Sequence, residues 1–393
     1  MVIPFRYILF IYLALLPLLG HGFSLHTHGS VSIYIIANAF LFISFTILCL
    51  QSGLQNTLNI NKIFLPQIFV NLGFLFLSTF FLLNGTGIRY VASHIMILML
   101  IISLASTLYK LDTKHILTAL LIGGLALSFF DVLAFFDIIE GNKRRDSLDW
   151  GYAGIGTSMT FANHGAGMVF GIISALAMLK HNPPPKLNVF YYLSITLMLG
   201  MVLISQSRSS MLAAIISILT YVVIAYSVPK NRSYSSIAIK FSFILIIAGL
   251  LSYFLAETRL NTVHYRLDGY VGVIKTIVHA PLGLGWDNWR SLYSTFGNVH
   301  NMVLSYAIAL GFPGLCLALG LIGLGGYFLK TYLQNAKEVS VLFCASFAMF
   351  CGAFTEAMFA PQTPSDWINL SLIFMATALV RDISSSPNST AVN

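Results

Sequence analysis

The chain is 393 residues long, 57% hydrophobic and only 9% charged, with a formal net charge of +8 and a mean hydropathy of +0.84. Soluble domains carry about 25% charged residues, so this composition excludes a soluble globular protein and indicates a polytopic membrane protein. The apolar runs are long and continuous rather than alternating, which predicts an all-α fold. We expect the lipid bilayer as a partner and no nucleic acid.

About twelve apolar runs have the ~20-residue length that a bilayer requires. No small-x-small cleavage site follows the first run, so we expect a retained span rather than a cleaved signal peptide. The runs predict transmembrane helices 1–9 within residues 1–256, a large outer loop over 257–299, and helices 10–12 with a cytoplasmic tail over 300–393. The predicted spans are 5–20, 31–50, 63–83, 90–109, 115–136, 157–180, 188–205, 209–228, 238–255, 302–329, 339–356 and 366–380.

Lysine and arginine are distributed unequally between the two predicted faces. With the N-terminus in the cytoplasm, twelve cations lie on the inner side and nine on the outer side, and the short inner loops are basic. Nine of the twelve inner cations are lysines, whereas seven of the nine outer cations are arginines. Since arginine binds phosphate oxygens two at a time, the outer face is suited to a phosphate or another oxyanion. The alternative is that these arginines pair with outer acids.

The large outer loop begins with a predicted amphipathic helix. Its apolar residues recur every three to four positions, which is typical of a helix lying on the bilayer surface. Pro281 ends this helix, and Gly283 and Gly285 predict a turn after it. The apolar residues are Val263, Leu267, Tyr270, Ile274 and Ile277.

Two arginines in this outer region are candidates for anion binding. Arg208 lies in the short polar sequence SQSRSS between two apolar runs, and Arg266 lies one residue from the apolar stripe of the surface helix. Arg208 is either an anion clamp at a cavity mouth or a snorkelling residue of a tight hairpin. Arg266 is either an inward-facing phosphate ligand or an ordinary solvated side chain.

A polar pair precedes the tenth predicted span. His300 and Asn301 lie where the outer loop enters the apolar run, and Gly311 and Gly314 follow deeper in it. Histidine titrates near neutral pH and suits proton transfer, although a residue at a helix start is also often a cap or a packing residue. The glycines would let a neighbouring helix or a lipid chain approach the backbone.

Missing motifs, the few acids within the spans and several further arginines limit the reactions that the sequence predicts. The sequence contains no Walker loop, no dinucleotide fingerprint and no Asp-x-Asp pair or His/Asp cluster, so we expect no metal and no cofactor. Acids within the spans, which would indicate an ion-coupled transporter, are nearly absent: Asp131 is the main candidate, and Glu356 lies near an outer end. Further candidates for substrate phosphate contacts are Arg290, Arg89, Arg144 and Arg145.

The segments YRLDGYVGVIKTIVHAPLGLGWDNW and NVHNMVLSYAIALGFPG together resemble the C-terminal signature of the O-antigen ligase and O-antigen polymerase family. That signature has an arginine in a periplasmic helix, a proline-glycine turn and a His-Asn pair, followed in the ligase branch by Gly-x-x-Gly. The matching residues here are Arg266, the turn 281–285, His300 with Asn301, and Gly311 with Gly314. SQSRSS is similar to the family's arginine loop and supplies Arg208; the resemblance covers about residues 200–315.

The resemblance implies a glycosyltransferase of the lipid-donor, GT-C type in the bacterial inner membrane, with its active site on the periplasmic face. The donor would be an O-antigen glycan on undecaprenyl diphosphate, and the acceptor a sugar hydroxyl of lipid A-core. His300 would be the general base or orient the acceptor, Arg208 and Arg266 would bind the diphosphate, and Asn301 would orient the site or cap the helix. The transfer would be metal-independent and inverting, and would complete lipopolysaccharide.

Two other functions remain open at this point. An O-antigen polymerase would use the same donor with a second lipid-linked glycan as acceptor. A membrane transporter for an anionic solute would carry ionisable groups near the bilayer midplane and, often, repeated halves. The sequence has no visible repeat, and its unusual charges lie at the outer rim, which favours the glycosyltransferase.

Overall fold

A computed structural model describes residues 5–19, 33–53, 60–82, 88–136, 138, 161–181, 183–204, 208–227, 260–286, 301–335, 340–359 and 366–384. Within these ranges the chain is helical and contains no β-strand, in agreement with the predicted all-α fold. The described α-helices are α1 (Phe5–Leu19), α2 (Ile33–Ser52), α3 (Leu65–Leu82), α4 (Ile88–Thr107), α5 (Thr113–Phe135), α6 (Phe161–Leu179), α7 (Pro185–Ile204), α8 (Arg208–Val222), α9 (Leu260–His279), α10 (Met302–Asn335), α11 (Val341–Phe359) and α12 (Asp366–Ser384).

The protein is an all-α membrane protein. In the described part of the chain, seven helices are long and apolar enough to cross a bilayer, namely α3, α4, α5, α7, α8, α10 and α11, with bounds that differ from those above by at most four residues. Three shorter apolar helices cover Phe5–Pro17, Ala37–Ser52 and Ala166–Leu179, within α1, α2 and α6. The predicted span 238–255 lies outside the described residues, so twelve spans remain a prediction.

Helix α12 coincides with the predicted span 366–380 but belongs to neither apolar group. Its polar residues Asn369, Ser371 and Thr377 are all buried in the protein rather than facing lipid. Gln67 Nε2 of α3 donates to the Asn369 carbonyl over 2.8 Å, and Asn71 Nδ2 donates to Asn369 Oδ1 over 3.0 Å. Hydrogen bonds of this kind hold helices together where hydrophobic attraction between them is absent.

Helices α6, α11 and α12 form the centre of the bundle, since nearly all their described side chains are buried. Small residues allow close packing around this centre. A Cβ atom on Gly124 of α5 would lie 2.8 Å from the Gly171 Cα of α6. A Cβ atom on Gly352 of α11 would lie 2.1 Å from Ser217 Oγ and 3.3 Å from the Ala213 carbonyl, both in α8. Helices α8 and α11 are therefore fixed in register.

One end of the bundle is held by cations that bind backbone carbonyls, and we name it the Arg381 end. Arg381 near the end of α12 donates to Thr113 Oγ1 over 3.0 Å and to the Leu108 carbonyl over 3.0 Å, and it also binds the Leu111 carbonyl. Lys180, after α6, donates to the Ala225 carbonyl over 2.6 Å. These contacts add side-chain donors to carbonyls at the ends of helical segments, one of which, that of Leu108, also accepts from Leu111 N–H.

The neighbouring His181 belongs to the same end. Partial burial lowers the pKa of His181, and the positive charges of Lys114 and Lys180 lower it further. Lys114 and His181 lie between predicted spans and Lys180 ends one, all on the face that we expect to be cytoplasmic.

Candidate functional site

The most irregular backbone in the described chain lies where the turn after α9 meets α10. Gly311 breaks α10 with φ 67° and ψ −158°, and Pro313 follows two residues later. In a regular helix the Ile308 carbonyl would accept from Phe312 and the Ala309 carbonyl from residue 313. Phe312 N–H instead donates to the Pro281 carbonyl over 2.9 Å, and proline has no N–H to donate.

The turn supplies the donors that α10 loses. Leu284 N–H donates to the Ile308 carbonyl over 3.0 Å, and Gly285 N–H donates to the Ala309 carbonyl over 2.9 Å. The Phe312 N–H and the Ile308 and Ala309 carbonyls are therefore paired within the low-dielectric interior, where an unpaired group is costly. We name residues 281–285 together with 308–312 the turn–helix joint.

Glycine is required on both sides of this joint. A Cβ atom on Gly311 would lie 2.1 Å from the Pro281 carbonyl oxygen, and one on Gly283 would lie 2.5 Å from the Ala309 carbonyl oxygen. Both residues have positive φ, which L side chains rarely adopt. The sequence signals Pro-x-Gly-x-Gly and Gly-x-x-Gly are therefore two halves of one contact.

Gly314 begins the second half of α10. A Cβ atom there would lie 2.5 Å from the Tyr306 carbonyl oxygen of the first half. The sequence led us to expect that Gly311 and Gly314 admit a neighbouring helix or a lipid chain. The element that approaches Gly311 is a turn of the same chain, and contact of either glycine with a bound donor remains a prediction.

Asn301 caps the first half of α10. Its Oδ1 accepts from Leu304 N–H over 3.1 Å, and its carbonyl accepts from Ser305 N–H over 2.9 Å. This is the N-cap arrangement, in which a side-chain oxygen pairs with an N–H of the first turn that has no partner inside the helix. Asn301 Nδ2 lies 3.7 Å from Met358 Sδ, near the end of α11. The cap fixes the point at which the chain leaves His300 and enters α10.

Glu356, two residues before Met358, is a buried acid with 4% exposure. Ser210 Oγ, in the first turn of α8, donates to its Oε1 over 3.2 Å. The Ala166 backbone N–H of α6 is a further hydrogen-bond partner of the same carboxyl. Sequence reasoning noted this acid but left it out of the site. The available signal was a single carboxyl in an otherwise apolar stretch, which is a default functional candidate in a membrane segment.

An aromatic cluster links the joint to α3 and α4. Trp286, directly after the turn, is 1% exposed, donates from Nε1 to Ser78 Oγ over 3.2 Å, and stacks on Tyr90 with ring centroids 4.1 Å apart. Trp286 also meets Tyr306 edge-on at 5.2 Å. The outer loop is thereby anchored to three helices by the residue that follows its turn.

His94 of α4 lies beside this cluster and was also missed by sequence reasoning. Its ring stacks on Phe74 with centroids 5.5 Å apart and is fully buried. Neither ring nitrogen has a hydrogen-bond partner among the described residues. A histidine within an apolar helix gave no spacing signal that could have marked it.

These contacts bring several motif segments to one end of the bundle, which we name the Asn301 end. It comprises Asn301, Met358, Glu356, Ser210 and the turn–helix joint. Among the predicted site residues, the backbone of Arg208 begins α8, Arg266 lies in α9, and Arg89 lies in the first turn of α4. The predicted residues that lie outside the described ranges are His300, Arg290, Arg144 and Arg145.

Across the described residues, no group of three or more His, Cys, Asp or Glu side chains is arranged to hold a metal ion. The polar groups gathered at the Asn301 end are a carboxyl, a serine hydroxyl and a carboxamide, which form hydrogen bonds and can position donors. The sequence matches no protein-family model, and no curated protein is similar to it.

Proposed function

We propose that the chain is an O-antigen ligase, which transfers a glycan from undecaprenyl diphosphate to a sugar hydroxyl of lipid A-core. The observation that carries the proposal is the convergence at the Asn301 end. The turn after α9, the helix that contains Arg266, is hydrogen-bonded to α10 at its Gly311 break. Asn301, which caps α10 and follows His300 in the sequence, contacts Met358 near the end of α11. The same turn of α11 carries Glu356, which accepts from Ser210 at the start of α8. Segments of the resemblance separated by about a hundred residues thus belong to one region.

The proposed reaction begins with the acceptor hydroxyl. His300 takes its proton as the oxygen attacks the anomeric carbon of the donor, a role that typically contributes about 10²–10⁴-fold. The bond between that carbon and the diphosphate oxygen breaks, and undecaprenyl diphosphate leaves with the electron pair. In-line attack inverts the anomeric centre. Arginines, rather than a metal ion, stabilise the charge of the leaving group.

Arg208 and Arg266 stabilise the negative charge that develops on the departing diphosphate. Guanidinium groups bind phosphate oxygens bidentately, and in a water-poor site each contact is worth more than in water. We place this chemistry on the periplasmic face of the inner membrane, because the arginine-rich predicted face is the outer one.

The experiment that tests the proposal is deletion of the gene in its host, with lipopolysaccharide and the lipid-linked glycan pool analysed together. A ligase predicts core-only lipopolysaccharide and accumulation of long polymer on the lipid carrier. Core capped by a single repeat unit would instead indicate a polymerase, and an unchanged ladder would refute both. Complementation with the wild type and with Gly323→Ala, a position with nothing within 4 Å of an added Cβ atom, controls for expression.

A further inference from the structure

Helix α9 has two apolar faces in the structure, although the sequence predicted one. Val273 and Ile277 are buried in the core of the bundle, where α9 packs against α10. On a second face, four large apolar side chains are 50% to 64% exposed, and we name them the lipid stripe: Val271, Ile274, Val278 and, just after the helix, Leu282. The predicted stripe joined Ile274 to Ile277, whereas the structure exposes the first and buries the second.

A polar edge separates the lipid stripe from the buried face along one side of the helix. It consists of Asp268, Lys275 and His279, which are all exposed. Their spacing of seven and four residues places them side by side. An apolar stripe next to a charged edge is typical of a helix at the boundary between lipid tails and headgroups.

The end of α9 lies inside the bundle rather than above it. Trp286, which follows the turn, donates to Ser78, four residues before the end of α3. It also stacks on Tyr90, two residues after the start of α4, and both helices are long and apolar enough to span a bilayer. Four residues of an α-helix rise by about 6 Å. The chain after α9 therefore reaches about one turn below the ends of two membrane-spanning helices.

The lipid stripe continues onto a membrane-spanning helix. Phe312 N–H of α10 donates to the Pro281 carbonyl, so the backbones of Leu282 and Phe312 are adjacent across the turn–helix joint. Phe312 is 47% exposed, and Leu319, two turns further along α10, is 52% exposed. These α10 residues lie in a candidate span, where exposed apolar side chains face lipid. One apolar surface thus extends from α9 onto the lipid-facing side of α10.

We propose that α9 is immersed in the leaflet next to the Asn301 end, which we expect to be the outer leaflet. The lipid stripe contacts phospholipid acyl chains, and the polar edge lies at the level of the headgroups. Lys275 extends its ammonium group to the headgroup phosphates, as lysines at membrane interfaces do. The inference depends on the orientation of the chain in the membrane and does not rest on the ligase reaction.

The test uses the full chain in vesicles of phosphatidylethanolamine and phosphatidylglycerol, with one nitroxide spin label at a time. The labelled variants are Ile274→Cys and Val278→Cys on the lipid stripe, and Lys275→Cys on the polar edge as the matched control. Cys316→Ser and Cys351→Ala form the background, because these exposed and half-buried cysteines would also take the label. Each label is measured for collisions with oxygen, which concentrates in lipid, and with a water-soluble nickel chelate.

We expect oxygen to exceed nickel at both stripe positions, at a depth of about 5–10 Å below the phosphates, and the reverse order at position 275. A label at position 278 that meets nickel as often as the label at position 275 would place the stripe in water and overturn the inference. A stripe label that neither reagent reaches would also overturn it, because the stripe would then be covered by protein, such as a second copy of the chain.

A second measurement needs no substitution. The wild-type chain is irradiated in vesicles that contain a phospholipid with a diazirine on its acyl chain, and the attached peptides are identified. We expect attachment to residues 271–282 and to Phe312. Attachment at Phe312 without attachment to residues 271–282 would overturn the immersion of α9 while leaving the ligase proposal untouched.

Discussion

The two ends of the bundle treat their polar groups differently. At the Arg381 end, Arg381 and Lys180 are bound by backbone carbonyls and a threonine hydroxyl. At the Asn301 end, a buried carboxyl, that of Glu356, accepts from the Ser210 hydroxyl at the start of α8. Donors that are already paired stabilise a fold but are not available to a ligand. We infer from the comparison that the Arg381 end serves stability, and we propose that the Asn301 end serves binding and chemistry.

The largest expected effect separates two histidines, His300, which precedes Asn301 in the sequence, and His181. His300→Ala should lower glycan transfer by about 10²–10⁴-fold, because it removes the proposed general base. His181→Ala at the Arg381 end should leave transfer unchanged. The measurement is the rate at which core lipopolysaccharide is converted to the full ladder in a complemented deletion strain. Equal lipopolysaccharide ladders from the two variants would contradict the proposed difference in function between the two ends.

The next effect concerns the proposed diphosphate ligand. Arg208→Ala should lower the transfer rate about 100-fold or more, since it removes charge stabilisation of the leaving group. Arg208→Lys should recover only part of this loss, because a lysine lacks the bidentate fork. Initial rates at saturating donor, normalised to folded protein, measure both variants. A fully active Arg208→Ala protein would refute the arginine clamp.

A third prediction tests the turn–helix joint. Gly311→Ala should destabilise the protein by about 1–3 kcal/mol from backbone strain alone, and by more because its Cβ atom would overlap the Pro281 carbonyl. Gly323→Ala, also in α10, has open space and should be neutral or slightly stabilising. Thermal unfolding in detergent compares the two. Equal unfolding temperatures would show that the joint does not hold the outer loop as described.

The smallest expected effect is on the Arg381 end. Arg381→Ala should lower stability by about 1–3 kcal/mol, because the carbonyl of the buried Leu111 loses the donor that Arg381 supplies. The rate per folded molecule should not change, since we propose that transfer takes place at the other end. Unfolding temperature and specific activity, measured on one preparation, check both halves. A loss of activity without loss of stability would reverse the assignment of the two ends.

The sequence predicted the helices better than it predicted their contacts. Continuous apolar runs are sufficient to locate transmembrane helices, and α10 begins at the predicted residue 302, although it ends at Asn335 rather than 329. The glycines were recognised as positions of close approach, but their partner could not be foreseen. Gly283 and Gly311 are 28 positions apart, and only the tertiary fold pairs them.

In the candidate site, too, local structure was predicted and tertiary contacts were not. Asn301 was predicted to cap a helix or orient the site, and its cap is confirmed. Glu356 and His94 were not placed in the site, because an isolated polar residue in an apolar helix carries no spacing pattern. Their significance depends on what surrounds them, which sequence periodicity does not report. The roles of His300, Arg208 and Arg266 remain predictions.

The central claim is tested most directly by one assay with purified components. The chain is reconstituted in vesicles with undecaprenyl-diphosphate-linked O-antigen and lipid A-core, in the presence of EDTA. The account predicts that glycan appears on the core, that undecaprenyl diphosphate is released, and that His300→Ala lowers the rate of both by about 10²–10⁴-fold. Longer lipid-linked glycan with an unmodified core, or no product from the wild-type protein, would contradict it.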